Sequence, residues 1–376
     1  MMYAPAIHKM KDVCIYAVMD PDKDQIDNFV KDYKAEKTYT RFEDILNDKN
    51  IDGYIVCSPV CFHSEQVIAL ANAGKHVMCE KPMGRTVDEC LKMKEASAKS
   101  GTILMVGFMK RFVPALKQVK QMIESGELGT ILNVQASWTS CEFGRPEMDR
   151  DKRIHMGGLF ADHGAHTFDI LRWWIGEVSS VTANLVFPII HPHRQVDDMG
   201  FAMLQYENGV TAMVHMSLAD HGEECDIYRV SGTKGVLEAK YGGYGFNLKY
   251  LPFWRYKLTL YRNGREIISI NDDGRINSID DFILDLSYPA ESPFYGEICH
   301  FTDCIRNNTK PNTDANDGIK SIEIINSVYE SARLKKTVQL PLGYQPDLVS
   351  SLEQIERKNL ECENWAAVNK SPFGSR

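Results

Sequence analysis

The sequence has no C-x-x-C pair, no long apolar run, no low-complexity tract, no excess of basic residues and no G-x-G-x-x-G loop. Its ten cysteines are scattered singly; the closest pairs, Cys57 with Cys61 and Cys299 with Cys304, have neither metal nor redox spacing. Reduced thiols in a cytoplasmic protein fit this usage better than disulfides or structural zinc. No apolar stretch approaches the roughly 18 residues of a membrane span, and the first residues carry no secretory signal pattern. Lys and Arg number 43 against 51 Asp and Glu, a net charge of -8, and the pI is near 5.8. Phosphate backbones are bound by clustered Lys and Arg, so a nucleic-acid surface is not expected. What remains is an ordinary globular composition, 44% apolar and 25% charged, over 376 residues. That length suits two domains, each long enough to bury a core.

The first third alternates strand and helix. Residues 13–19 form a continuous apolar run closed by Asp20-Pro21, the pattern of a parallel strand buried on both faces. A helix is predicted over 22–34 and a short one from Phe42 to Leu46. Asp52-Gly53-Tyr54-Ile55-Val56-Cys57 reads as the next buried strand, ending in the breaker Ser58-Pro59. A helix over 63–73 stops at Gly74; another runs from Val87 to about Ser100 and stops at Gly101. Between them the run Gly74–Cys79 reads as a strand that ends in Glu80-Lys81, and Pro82, lacking an N–H, forbids further pairing. Ile103–Phe108 is one more strand. This rhythm predicts a doubly wound parallel sheet.

After Pro114 the rhythm changes. A helix runs through Ile123, and residues 127–285 read as a mostly antiparallel sheet covered by one helix, Leu159–Ile175. Asn208-Gly209 and Asn263-Gly264 predict hairpins, because both residue types tolerate positive φ. Residues 295–306 and 317–335 are helical again. The expected domains are 1–113, 114–342 and a polar extension, 343–376.

Two stretches carry chemistry. Ligands of an open α/β sheet bind beyond the carboxyl ends of its strands, where Glu80 and Lys81 stand; on its own such a tripeptide with Pro82 reads as a solvated turn. On the helix Leu159–Ile175, Asp162 and His166 are four apart and share a face with Asp169 and Trp173. A carboxylate beside an imidazole raises its pKa and fixes its tautomer, which suits an acid/base pair. An exposed polar stripe is the alternative. Gly157-Gly158 would allow the backbone a close approach to a ligand.

Taken together these residues resemble the glucose–fructose oxidoreductase / inositol dehydrogenase (Gfo/Idh/MocA) family. The matching stretches are Ala17–Asp22, Asp52–Pro59 with His63, Gly74–Met83, Gly107–Phe112, Gly126-x-x-Gly129, and Gly157-Gly158-x-x-x-Asp162-x-Gly164-x-His166-x-x-Asp169. Asp317-Gly318, Tyr329–Ala332 and Pro341 close the pattern, which spans roughly residues 3–342. The resemblance implies a Rossmann domain and a C-terminal α/β domain with an open antiparallel sheet. It implies a hydride transfer between NAD and a secondary alcohol of a sugar, inositol or related polyol. Lys81, Asp162 and His166 would be catalytic, and Asp20, Ser58, Pro59, His63, Glu80 and Lys81 would line the cofactor, with a capping or packing role the alternative for His63. Arg111 and His163 are expected to face the substrate, with a surface salt bridge the alternative for Arg111. Asp20 would hold the ribose hydroxyls, and an acid there repels a 2′-phosphate, favouring NAD over NADP. A homodimer or homotetramer through the C-terminal sheet is the expected assembly.

The family's opening strand and glycine loop have no counterpart here, and a truncated start is the expected cause. If the chain is stable as it stands, residues 13–19 and 53–57 must pair directly or be bridged; a mobile first stretch of chain is the other expectation. Two further readings stay open: a non-catalytic NAD- or sugar-binding sensor on this fold, and a metal-dependent hydrolase using Asp162, His163 and His166, or His191 and His193. The aromatics Trp254, Tyr256 and Tyr261 read as sheet core or as a sugar-stacking surface.

Overall fold

The computed structural model describes residues 2–140, 157–187, 196–220, 225–242, 257–270, 276–278 and 292–360. His191, His193, Trp254 and Tyr256 lie outside these residues.

The parallel part has α1 (Tyr3–Ile7), β1 (Ala17–Met19), α2 (Lys23–Asp32), β2 (Lys37–Tyr39), α3 (Phe42–Leu46), β3 (Gly53–Val56), α4 (Val60–Asn72), β4 (His76–Cys79), α5 (Val87–Ser100) and β5 (Leu104–Val106). The sequence writes several of these bounds locally. Thr86 caps α5 by accepting from Glu89 N, and Gly101 closes it. Asp22 caps α2 by accepting from Asp24 N. Strands β3, β4 and β5 pair in parallel, with Val56, Cys79 and Val106 in register, so their carboxyl ends are level.

β1 departs from the expectation. It covers three residues rather than seven, all only half-buried, and pairs with β2 alone. Among the described residues β1 and β3 share no ladder and belong to separate sheets, so direct pairing does not occur. Among the described residues β1 has no second neighbour to bury it, and residues 11–16 join no ladder. Instead Tyr16 O accepts from both Glu36 N and Lys37 N. α1 is short but well seated. Tyr3 meets Phe294 edge-on with ring centroids 5.2 Å apart, and Ala6 and Ile7 join Ile298 and Phe301 in a second small core.

A 3₁₀ turn, Met109–Phe112, leads into α6 (Pro114–Glu124) and the second sheet. Its strands are β6 (Ile131–Thr139), β7 (Val178–Val186), β8 (Met199–Tyr206), β9 (Thr211–Ser217), β10 (Cys225–Gly232), β11 (Gly235–Gly242), β12 (Lys257–Arg262), β13 (Arg265–Ile270), β14 (Ile276–Ser278) and β15 (Val338–Gln339). The order is β14-β13-β12-β11-β10-β6-β9-β8-β7-β15. Every neighbouring pair is antiparallel except β6 with β9. Alternation of buried and exposed residues, clear along β8 and β10, puts one face on the core.

Both Asn-Gly hairpins form, with different turns. Asn263 and Gly264 both have positive φ, 52° and 74°. At the first hairpin only Gly209 does; Asn208 instead donates from Nδ2 to Ile175 O and accepts from Val210 N, bonds that fix it without a left-handed backbone. Among the described residues more than one helix covers the sheet's inner face, with α6 packed on β11 as well. α7 (Leu159–Ile175) is joined by α9 (Ala315–Leu334), while α8 (Pro293–Asn307) packs on α1 and α10 (Leu348–Leu360) on α9. α9 starts with a capping box between Asp314 and Asp317. Just before it, Thr313 O accepts from Val106 N, tying the end of β5 to the second half of the chain.

Candidate active site

Lys81 stands immediately beyond β4, and the Lys81–Pro82 peptide is cis. The loop is held from beneath. Glu80 accepts from Tyr3 OH at 2.5 Å through Oε1 and from Lys81 N at 2.9 Å through Oε2. His63 is 1% exposed, with Nδ1 2.9 Å from Pro82 O and Nε2 2.8 Å from Ser58 O. It therefore clamps the loops after β3 and β4 together and offers a cofactor no surface. Of the two roles expected of His63, this position fits packing between the loops. Ser58 Oγ donates to Gln66 Oε1 at 2.7 Å, and exposed Pro59 is the N-cap of α4. Asp20 stands at the carboxyl end of β1, accepting from Asp22 N at 2.9 Å.

α7 brings the other half. Asp162 Oδ1 accepts a short bond from Lys81 Nζ, which also reaches Asp162 O at 3.3 Å. The two side chains are 16% and 17% exposed, so solvent reaches the pair. One turn on, His166 is 8% exposed, and its Nδ1 is buried without a hydrogen-bond partner among the described residues. Burial first, then Lys81, Lys110 and His163, hold the His166 imidazole well below its ordinary value; Asp162 pulls the other way and loses. The expected upward shift is thus reversed, because Asp162 spends its charge on Lys81 and the ring sits deep among cations. The ring of His163 stacks on Trp138 of β6 with centroids 3.8 Å apart and planes at 22°.

Arg111 does not reach a cleft. It is buried and sends Nε and Nη2 to the two oxygens of Asp169, at 2.8 and 2.5 Å, and Nη1 to Asn312 O at 2.8 Å. Asp317, also held by Arg172 at 2.7 Å, completes the cluster. A planar guanidinium facing a carboxylate is a joint between the turn after β5, α7 and α9. The salt bridge that was the alternative for Arg111 is thus present, in the interior rather than at the surface.

Sequence reasoning missed Lys110 and Asp197. Lys110 is buried, 2.5 Å from Asp226 Oδ2 and 3.0 Å from Tyr228 OH on β10. Burial pulls its ammonium down, but Asp226 and Tyr228 outweigh that and hold it charged. Only its neighbour Arg111 hinted at an inward-facing turn. Asp197 caps α7 from a distant segment. Its Oδ1 accepts from Gly158 N at 3.0 Å, its Oδ2 from Phe160 N at 2.9 Å, and its backbone O from Leu159 N at 3.1 Å. Tyr329 OH donates to Asp197 Oδ1 and accepts from Gly158 N at 3.1 Å. A Cβ at Gly158 would lie 2.1 Å from Asp197 O, and one at Gly157 2.5 Å from Tyr329 OH. The close approach these glycines allow is therefore to Asp197 and Tyr329, not to a ligand. The pair of glycines was the signal, and its partner was misassigned.

The described residues fit a dinucleotide at its two ends. Asp20, Ser58, Pro59 and Lys81 all stand at carboxyl ends of parallel strands, the edge where such cofactors lie. Among the described residues no three His, Cys, Asp or Glu side chains are grouped as a metal site. No helix among them is long and apolar enough to cross a membrane.

Comparison with known proteins agrees with this architecture. The profile of the oxidoreductase family with an NAD-binding Rossmann fold matches residues 1–108, and that of the GFO/IDH/MocA C-terminal domain matches 116–238. Myo-inositol 2-dehydrogenase of Thermotoga maritima is 32% identical over 63% of this chain and 71% of its own. The NAD-dependent scyllo-inositol 2-dehydrogenase of Bacillus subtilis is 26% identical over 87% of this chain and 88% of its own. In fold the chain resembles the aldose-aldose oxidoreductase of Caulobacter crescentus, with a TM-score of 0.76, 24% identity and coverage of 90% and 95%. The chain belongs to the Gfo/Idh/MocA family of NAD-dependent oxidoreductases.

Proposed function

We propose that this protein oxidises a secondary hydroxyl of a sugar, inositol or related polyol with NAD. The observation that carries the reading is His166, buried one helical turn from the Lys81–Asp162 pair. Names among the relatives support the substrate class: myo-inositol 2-dehydrogenase, scyllo-inositol 2-dehydrogenase and levoglucosan dehydrogenase.

In this reading residues 1–113 hold the dinucleotide, 114–342 the substrate, and 343–376 form an extension. Asp20 takes the adenosine ribose hydroxyls, and its charge disfavours a 2′-phosphate. Bound NAD supplies the hydride acceptor. Asp162 fixes Lys81 Nζ so that its remaining N–H meets the substrate oxygen and stabilises negative charge developing there. His166, neutral because of its burial, receives the hydroxyl proton as the C–H hydride leaves, so the alcohol becomes a ketone and the imidazole an imidazolium. The protein is cytoplasmic in this reading. It assembles through the outer face of the second sheet, where Phe201, Met203 and Met213 are about half exposed on adjacent strands.

The test is turnover. Purified protein with NAD is assayed for NADH formation against inositols, aldoses and sugar lactols. Formation with at least one polyol, abolished in His166→Ala, supports the reading. Thermal stabilisation by NAD and by sugar without turnover of any substrate replaces it with the sensor reading. Met203→Asp with Met213→Asp should lower the sedimenting mass if the sheet face joins copies.

A further inference from the structure

Lys81 takes its place from Glu80, and Glu80 is held in turn by Tyr3 of α1. Behind Tyr3 stands a second acid. Glu297 belongs to the buried stripe of α8, with Phe294, Ile298, Phe301 and Cys304. It is 0% exposed, and neither of its carboxyl oxygens makes a hydrogen bond. One turn back on the same stripe, Phe294 meets the Tyr3 ring edge-on. The Tyr3 hydroxyl and Glu80 are the polar groups that bear on Glu297, and Glu297 and Glu80 both bear on the Tyr3 hydroxyl. Two carboxyls and one phenol therefore form a single cluster behind the loop that carries Lys81.

Counting hydrogens decides the charge state of this cluster. Tyr3 has one hydroxyl hydrogen, and it goes to Glu80 Oε1 at 2.5 Å. An ionised Glu297 would be a buried anion without a donor, facing another carboxylate, which is strongly unfavourable. A protonated Glu297 has an O–H to give, and the Tyr3 oxygen keeps lone pairs to accept it. Glu80 is the carboxylate of the two: it is part-exposed and already accepts from Lys81 N at 2.9 Å. Burial first, then Glu80, holds the Glu297 carboxyl well above its ordinary value, while Tyr3 pulls the other way. Cys57, after β3, is the other titratable group bearing on Tyr3, and it is a thiol at neutral pH.

We propose that Glu297 is a positioning residue for Lys81: as a neutral acid it donates to the Tyr3 hydroxyl, so that Tyr3 keeps its own hydrogen on Glu80 and Glu80 keeps the Lys81 N–H. The bonds run from α8 through α1 to Glu80, which takes the Lys81 amide on its other oxygen. An ionised Glu297 would compete with Glu80 for the Tyr3 hydrogen, and the loop after β4 would lose its anchor. This role rests on Lys81 acting at the substrate oxygen; the proton on Glu297 does not.

Infrared difference spectra of the full chain, without NAD or substrate, read the proton. At neutral pH the parent should show the carbonyl stretch of a protonated carboxylic acid that Glu297→Gln lacks. Tyr3→Phe, which keeps a ring against Phe294, should move that band to higher frequency, the mark of a lost hydrogen bond. In the same variant the Lys81 amide should exchange its hydrogen about tenfold faster, and kcat should fall about tenfold at unchanged KM for the polyol. A parent without the band, a band that Glu297→Gln retains, or one that Tyr3→Phe leaves in place overturns the proposal. Unchanged Lys81 exchange in Tyr3→Phe overturns the positioning role. Should Glu297→Gln not fold, the shift in Tyr3→Phe identifies the band. If the parent turns over no polyol, the function proposed above fails, while the band and the Lys81 exchange still decide this inference.

Discussion

Tyr329 donates its hydroxyl to Asp197 at 2.6 Å, across 132 residues of sequence, directly beneath the first turn of the helix that carries Asp162 and His166. The N-cap position of that helix is Gly158, which has no side chain to cap with. Asp197 supplies the missing acceptor, and its negative charge lies at the positive end of the helix dipole.

Asp197→Ala should therefore unfold at lower denaturant. Two backbone N–H groups and a tyrosine hydroxyl lose a buried charged partner, a loss of about 3 kcal/mol. Tyr329→Phe should cost about 1 kcal/mol, because Asp197 keeps its bonds to the helix. Equilibrium urea titration separates the two. Equal midpoints for both variants and the parent would remove this cap from the account.

Lys81→Ala should cut kcat by about 10²–10⁴-fold while leaving the melting temperature close to the parent's. Asp162, left without its partner, is part-exposed and can hydrate. A melting point several degrees lower would show that Lys81 holds the fold rather than the reaction.

Arg111→Met should show the opposite pattern. Asp169 is left buried with its guanidinium gone, and such a break costs about 3–5 kcal/mol. Folded protein at low temperature should keep the parent's substrate KM. A raised KM with unchanged stability would return Arg111 to the substrate.

The pH dependence has two signs to check, both from His166. As a base it works when neutral, and its folded value lies well below 6.5, so the acid limb of kcat/KM should fall at a pH below 6.5. For stability, the unfolded chain takes up the proton first as pH drops under 6.5, so the folded state loses stability from there downward until the folded value is passed. Buried His63, also lowered, adds to the same trend. A rate that declines only above neutrality would assign the titrating group elsewhere.

How far the sequence speaks depends on whether the deciding contact is local. Leu159–Ile175, Phe42–Leu46 and Val87–Ser100 form as read, because periodicity and breakers are local, although the cap of Leu159–Ile175 comes from distant Asp197. Lys81 and Asp162 were each singled out, although no pattern announced that one would bond the other. β1 was read as doubly buried because its composition is apolar, but burial is settled by the neighbour across the ladder. Arg111 and Lys110 are adjacent cations with the same spacing to everything nearby; only Asp169 and Asp226, far along the chain, make them internal. The imidazole of His166 was assigned an upward shift from one adjacent acid, whereas the field of the assembled interior decides its sign.

The pairing of β6 bears on how this protein is made. It is the first strand of its sheet to leave the ribosome, yet its neighbours are β9, parallel, and β10, antiparallel. While residues 140–210 are being added, neither partner exists. The β7–β8 ribbon can zip as it emerges, and the β3–β5 unit can wind up, but β6 waits with both backbone edges bare. A nascent chain stalled before Thr211 thus exposes Ile131–Thr139 as a template for other chains, the stage at which a chaperone has most to cover.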